Sequence, residues 1–88
     1  MGCKRMVKLP GGFVVEVRRA RKQYVCFYCR KPIAVGEFYV AIGGVRARLV
    51  ERYHVACFNL VIPHRVRAVY TDEGPCLSGA SVDDSALG

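Results

Sequence analysis

The stretch YHVACF, residues 53 to 58, sets a histidine and a cysteine three positions apart between two large aromatics. Upstream, CFYC at 26 to 29 holds two cysteines at the same interval, with 24 residues separating Cys29 from His54. A two-residue spacer lets both sulfurs of a tight turn reach one ion, and two such pairs make up a tetrahedral shell. Cys26, Cys29, His54 and Cys57 are therefore the predicted ligands of one structural Zn2+, at expected distances of about 2.3 Å to sulfur and 2.0–2.1 Å to nitrogen. Any one of them alone reads as a buried small residue or a hydrogen-bonded core histidine; the paired spacing singles them out. A redox dithiol at Cys26 and Cys29 lacks the βαβ context it needs, and a c-type haem site would need histidine where Arg30 stands.

Three thiolates and a neutral imidazole leave no position for water, so the predicted ion holds the fold together and does no chemistry. Length asks for such a staple. The 88 residues make one domain, and a domain of that size buries only about 60% of its unfolded surface. A first pair on a β-turn and a second on the opening turn of a helix is the treble-clef arrangement. The expected fold class is a small zinc-stabilised α+β, treble-clef-like module of antiparallel β-strands with one short C-terminal helix.

Three segments are expected. Residues 1–12 form a basic N-terminal arm or a short leading strand through Met6-Val7, closed by the breaker Pro10-Gly11-Gly12. Residues 13–70 form the zinc-binding domain, and residues 71–88, rich in Gly, Ser, Ala and Asp, an acidic disordered tail. Within the domain, FVVEV at 13–17 and FYVAI at 38–42 read as strands, and 18–23 as an exposed loop. Gly43-Gly44 is the strongest two-residue hairpin signal; the returning VRARLVER sets Val45, Ala47 and Leu49 against Arg46 and Arg48. A helix from His54 to about Ile62 is stopped by Pro63, and HRVRAVY at 64–70 alternates as a last strand. Cys3 and Cys76 fall in the two end segments and read as free thiols, with a disulfide as the lesser alternative; an odd total of five cysteines speaks against a purely disulfide framework.

The formal charge of +7 is unevenly divided. All fourteen Lys and Arg lie between Lys4 and Arg67, and residues 1–70 set them against three glutamates, a balance of +11. Ten of these cations are arginines, whose planar fork suits bidentate phosphate contact. A polyanion, most simply nucleic acid, is the expected partner. The predicted contacts are Arg18, Arg19, Arg21 and Lys22 before the first pair, Arg46 and Arg48 on the hairpin, and Arg65 and Arg67 after the helix. No apolar run approaches the roughly 18 residues that cross a bilayer, and the basic N-terminus lacks the apolar core of a secretory signal. The expectation is an intracellular protein, cytoplasmic or in the nucleoid or nucleus, with no membrane partner and no small-molecule substrate.

Cys26-x2-Cys29, a strand-rich spacer and Tyr53-His54-x2-Cys57-Phe58 resemble the zinc finger of poly(ADP-ribose) polymerases and of one class of DNA ligase. The resemblance runs from about Val15 to Phe58 and takes in Val15-Glu16, Pro32-Ile33 and FYVAI. It implies a CCHC module that grips the DNA backbone. The spacer here is shorter than the family's, residues 43–52 contain no aromatic, and Gln23 stands where the family favours a backbone-gripping arginine. What carries over is phosphate binding rather than recognition of strand breaks. No transferase or ligase domain fits in the rest of the chain, so the expected function is non-catalytic nucleic-acid binding, with DNA favoured. The alternatives are an RNA-binding or ribosome-associated zinc protein and a LIM-like protein-interaction adaptor, although a full LIM domain would need its second module directly after Cys57.

Overall fold

Valine-rich alternation dictates the centre of the molecule. Val15 and Val17 point one way from their strand and Glu16 and Arg18 the other, so pairing with a second apolar strand buries one row and solvates its opposite. The computed structural model describes residues 3–44, 50–61 and 66–78. Within them, β1 (Met6–Lys8), β2 (Phe13–Arg19), β5 (Phe38–Gly44) and β6 (Glu51–His54) form an antiparallel sheet in the order β1-β2-β5-β6. A two-stranded ribbon pairs β3 (Tyr24–Val25) with β4 (Pro32–Ile33), and another pairs β7 (Arg67–Thr71) with β8 (Gly74–Ser78). Helix α1 (Val55–Val61) follows β6 without a break. The protein is thus a small α+β fold of antiparallel strands with one short helix among the described residues.

Register explains the core. Val7 faces Val15 and Val15 faces Ile42, while Val17 faces Val40 and Val40 faces Tyr53, two rows on one face of the sheet. These rows join Phe58 of α1, Val66 just before the last ribbon, and Ala68 and Leu77 within it in a single cluster. On the opposite face Tyr39 and Ala41 are also buried, and the β3–β4 ribbon sets the Tyr24 ring, tilted, 5.4 Å from that of Tyr39. Asn59 bridges helix and ribbon: its side chain accepts the Ala68 N–H at 2.8 Å and donates to the Ala68 carbonyl at 2.9 Å.

Several expectations need correction. Arg18 and Arg19 belong to β2 rather than to a loop, and Ala20 beyond them is buried. Gly43 and Gly44 are strand residues opposite Val14 and Phe13, not a turn. A Cβ on Gly44 would stand 2.8 Å from the Gly12 carbonyl oxygen, so close backbone approach is what demands glycine there. The expected alternation of Val45, Ala47 and Leu49 with Arg46 and Arg48 lies outside the described residues. His54 closes a strand; the helix starts one residue later. Of the two readings of residues 1–12, the short leading strand through Met6-Val7 holds: β1 runs there, with Val7 and Leu9 buried and Lys4 bridged to Leu77.

The tail expected to be disordered from Thr71 contains β8 instead, while residues 79–88 lie outside the described set. Asp72-Glu73 makes the two-residue turn, with Gly74 at φ 96° and the Thr71 hydroxyl donating to the Gly74 carbonyl at 2.9 Å. Pro75, Cys76 and Leu77 are buried behind it. Cys3 and Cys76, read as free thiols, form a disulfide that ties the start of the chain to this ribbon.

Candidate metal centre

The β3–β4 ribbon exists to turn the chain around two cysteines. Cys26 N–H donates to the Lys31 carbonyl at 2.9 Å and Arg30 N–H to the Cys26 carbonyl at 3.0 Å, closing a tight loop between the short strands. Arg30 takes a left-handed backbone (φ 67°), a conformation costing a non-glycine residue about 1 kcal/mol or more, so the reversal is imposed by its surroundings. The Phe27 N–H donates to the Arg52 carbonyl at 2.7 Å and clamps the loop onto β6. That clamp brings the first pair to the second, which β6 and the first turn of α1 present.

Cys26, Cys29, His54 and Cys57 converge, their ligand atoms all within 4.8 Å of one another. His54 Nδ1 lies 3.3 Å from Cys29 Sγ and 3.9 Å from Cys57 Sγ. A tetrahedron with arms of about 2.3 Å to sulfur and 2.0–2.1 Å to nitrogen has edges of about 3.5–3.8 Å, so the cluster is close enough to hold a metal ion. His54 Nε2 sits 3.1 Å from the Pro32 carbonyl oxygen, an acceptor for its N–H, so in the neutral ring Nδ1 is the lone-pair nitrogen facing the sulfurs. The His54 backbone N–H donates to Cys26 Sγ at 3.4 Å. Cys26 is wholly buried and the other three are half-buried.

The sulfurs differ sharply in proton affinity. Burial pushes the Cys26 thiol up, but backbone N–H groups of Cys29, His54 and Tyr28 outweigh it and bring the pKa down to about 6. Cys57 is pushed up to about 12 by burial and by the neighbouring sulfurs of Cys26 and Cys29. Cys26 thus readily carries a thiolate and Cys57 resists becoming one. A cation among the ligand atoms favours the ionised forms, and this donor set of soft sulfur and imidazole suits zinc.

The predicted phosphate contacts are less uniformly placed. Arg18, Arg19 and Arg21 line one open cleft of about 600 Å³ with Ala20, Tyr24 and Tyr39. Arg18 also pairs with Glu16 at 2.9 Å. The Arg19 guanidinium lies 4.7 Å from the Phe38 ring centre, and Lys22 Nζ 5.7 Å from that of Tyr24. Arg67 donates to the Asn59 carbonyl at 3.1 Å, beside the helix. Arg46, Arg48 and Arg65 lie outside the described residues. Sequence reading missed Arg52, whose guanidinium lies 4.2 Å over the Tyr24 ring with its Nε buried and, among the described residues, without a hydrogen-bond partner. It also missed Arg30 over Phe27 at 5.3 Å; in both cases the clue was a basic residue close to a ligand and an aromatic.

No protein-family model, curated protein or solved structure matches this chain.

Proposed function

We propose that this chain is a non-catalytic zinc-binding module that binds nucleic acid, DNA ahead of RNA, through phosphate contacts from its arginines and lysines. Convergence of Cys26, Cys29, His54 and Cys57 within one coordination sphere carries the zinc half of this reading. With four protein ligands the shell is closed, which favours a structural ion and disfavours an enzyme. A knuckle donating one pair and a helix start completing the other fit a treble-clef-like, PARP-type arrangement. Native mass spectrometry tests it: wild type carries one zinc, and alanine at any of the four positions abolishes stoichiometric binding. Zinc retained by all four variants overturns the assignment.

Support for the nucleic-acid half comes from the cleft, where Arg18, Arg19 and Arg21 converge beside two tyrosines. Arginine forks and phenol hydroxyls are the groups that bind phosphate oxygens. If about six to ten phosphates are neutralised, affinity falls by roughly 10³ to 10⁵ between 50 and 200 mM salt. A binding constant indifferent to salt removes the reading, and binding of a protein partner in its place would favour an adaptor.

A further inference from the structure

The loop carrying the first cysteine pair displays more than ligands. Between Cys26 and Cys29 stand Phe27 and Tyr28, 49% and 53% exposed, within a strongly cationic part of the chain. From Val17 to Gly36 there are six cations and no carboxylate. Large aromatics half in water amid one sign of charge are poorly suited to an apolar protein partner and well suited to a polyanion that brings its own flat apolar faces.

Phe27 is also held in place. Its amide is bound to the Arg52 carbonyl, its ring meets Tyr53 edge-on at 6.0 Å, and the Arg30 guanidinium covers part of it. A ring fixed before binding loses little conformational freedom on stacking. The same ribbon reaches back to the arginine cleft, because Tyr24 lines that cleft four residues before Tyr28. Four residues span at most about 13–14 Å, a distance covered by a few nucleotides.

We propose that the tip of this knuckle is a base-stacking platform, so that the module binds unpaired, single-stranded nucleotides: bases on Phe27 and Tyr28, the adjoining phosphates along Arg21, Lys22 and the cleft. The proposal rests on the nucleic-acid reading above and specifies its substrate class. A duplex keeps its base faces stacked internally and offers this platform nothing, whereas loops, ends and single strands do. Stacking is indifferent to the sugar, so single-stranded DNA and RNA share the required chemistry.

The test is an anisotropy titration with labelled oligothymidylate, oligouridylate of equal length and a blunt mixed-sequence duplex. Wild-type protein is expected to bind the single strands more tightly than the duplex, and the ratio of the two single strands identifies the preferred sugar. Tyr28→Ala and Phe27→Leu, the latter keeping an apolar contact for Tyr53, should each weaken single-strand binding by about 5- to 150-fold. Duplex affinity and the salt slope should stay unchanged. The chain has no tryptophan, so Tyr28→Trp adds a single reporter whose emission should be quenched by oligothymidylate. Duplex bound as tightly as single strands, or Tyr28→Ala with zinc retained and single-strand affinity unaltered, overturns the platform. If Arg21→Ala still weakens binding in that case, the phosphate reading survives; if nothing binds even at low salt, both fall.

Discussion

Cys57 and Cys26 are chemically unlike although both face the same point. Cys57 holds its proton to about 12 while Cys26 loses one near 6, so metal uptake at neutral pH has to expel the Cys57 proton. Zinc titration of metal-free protein is expected to acidify a weakly buffered solution, and apparent affinity to fall as pH is lowered; calorimetry in buffers of different ionisation enthalpy measures both. Gly44 offers a second test at this scale. Its missing Cβ avoids the Gly12 carbonyl, so Gly44→Ala should cost about 1–3 kcal/mol in urea unfolding. Gly43→Ala, whose Cβ would meet Val50 at an ordinary 3.4 Å, should cost less. The four ligands were legible in sequence because their spacing is itself the geometric requirement. The role of the glycine pair was not, because the atom that enforces it belongs to Gly12, 32 positions away.

Among elements, β2 and β5 were readable as strands from their β-branched and aromatic content, whereas the burial of Tyr39, Val40 and Ala41 in succession follows from cover on both faces of β5. The ribbon of β7 and β8 was half readable. Val66 and Ala68 alternate with arginines, but GPCLS has neither alternation nor β-branched residues, and its order comes from tertiary burial of Pro75, Cys76 and Leu77. The Cys3–Cys76 bond could not be found from spacing, since pairing depends on where the two backbones meet in space. Removing it with Cys3→Ser should destabilise the fold by about 2–4 kcal/mol, read from the urea midpoint, while zinc stoichiometry stays at that of wild type.

For the molecule as a whole, the cysteine–histidine cluster and the disulfide lie in different halves, the cluster where knuckle meets helix and the disulfide where the start of the chain meets the last ribbon. A helix of seven residues has no stability of its own in water, so α1 depends on its packing and on Cys57. Chelation is accordingly expected to abolish helical ellipticity in circular dichroism, and return of zinc to restore it. Among the described residues no helix is long and apolar enough to cross a membrane. The cationic cleft and the knuckle aromatics leave the basic surface open to solution.

The bond between Cys3 and Cys76 spans 73 positions, which turns nearly the entire chain into a covalent ring. Cleavage of a single peptide bond inside that ring opens it without separating any piece. A protease that nicks an exposed loop would leave a single band on a non-reducing gel, resolved into two fragments only after the disulfide is reduced.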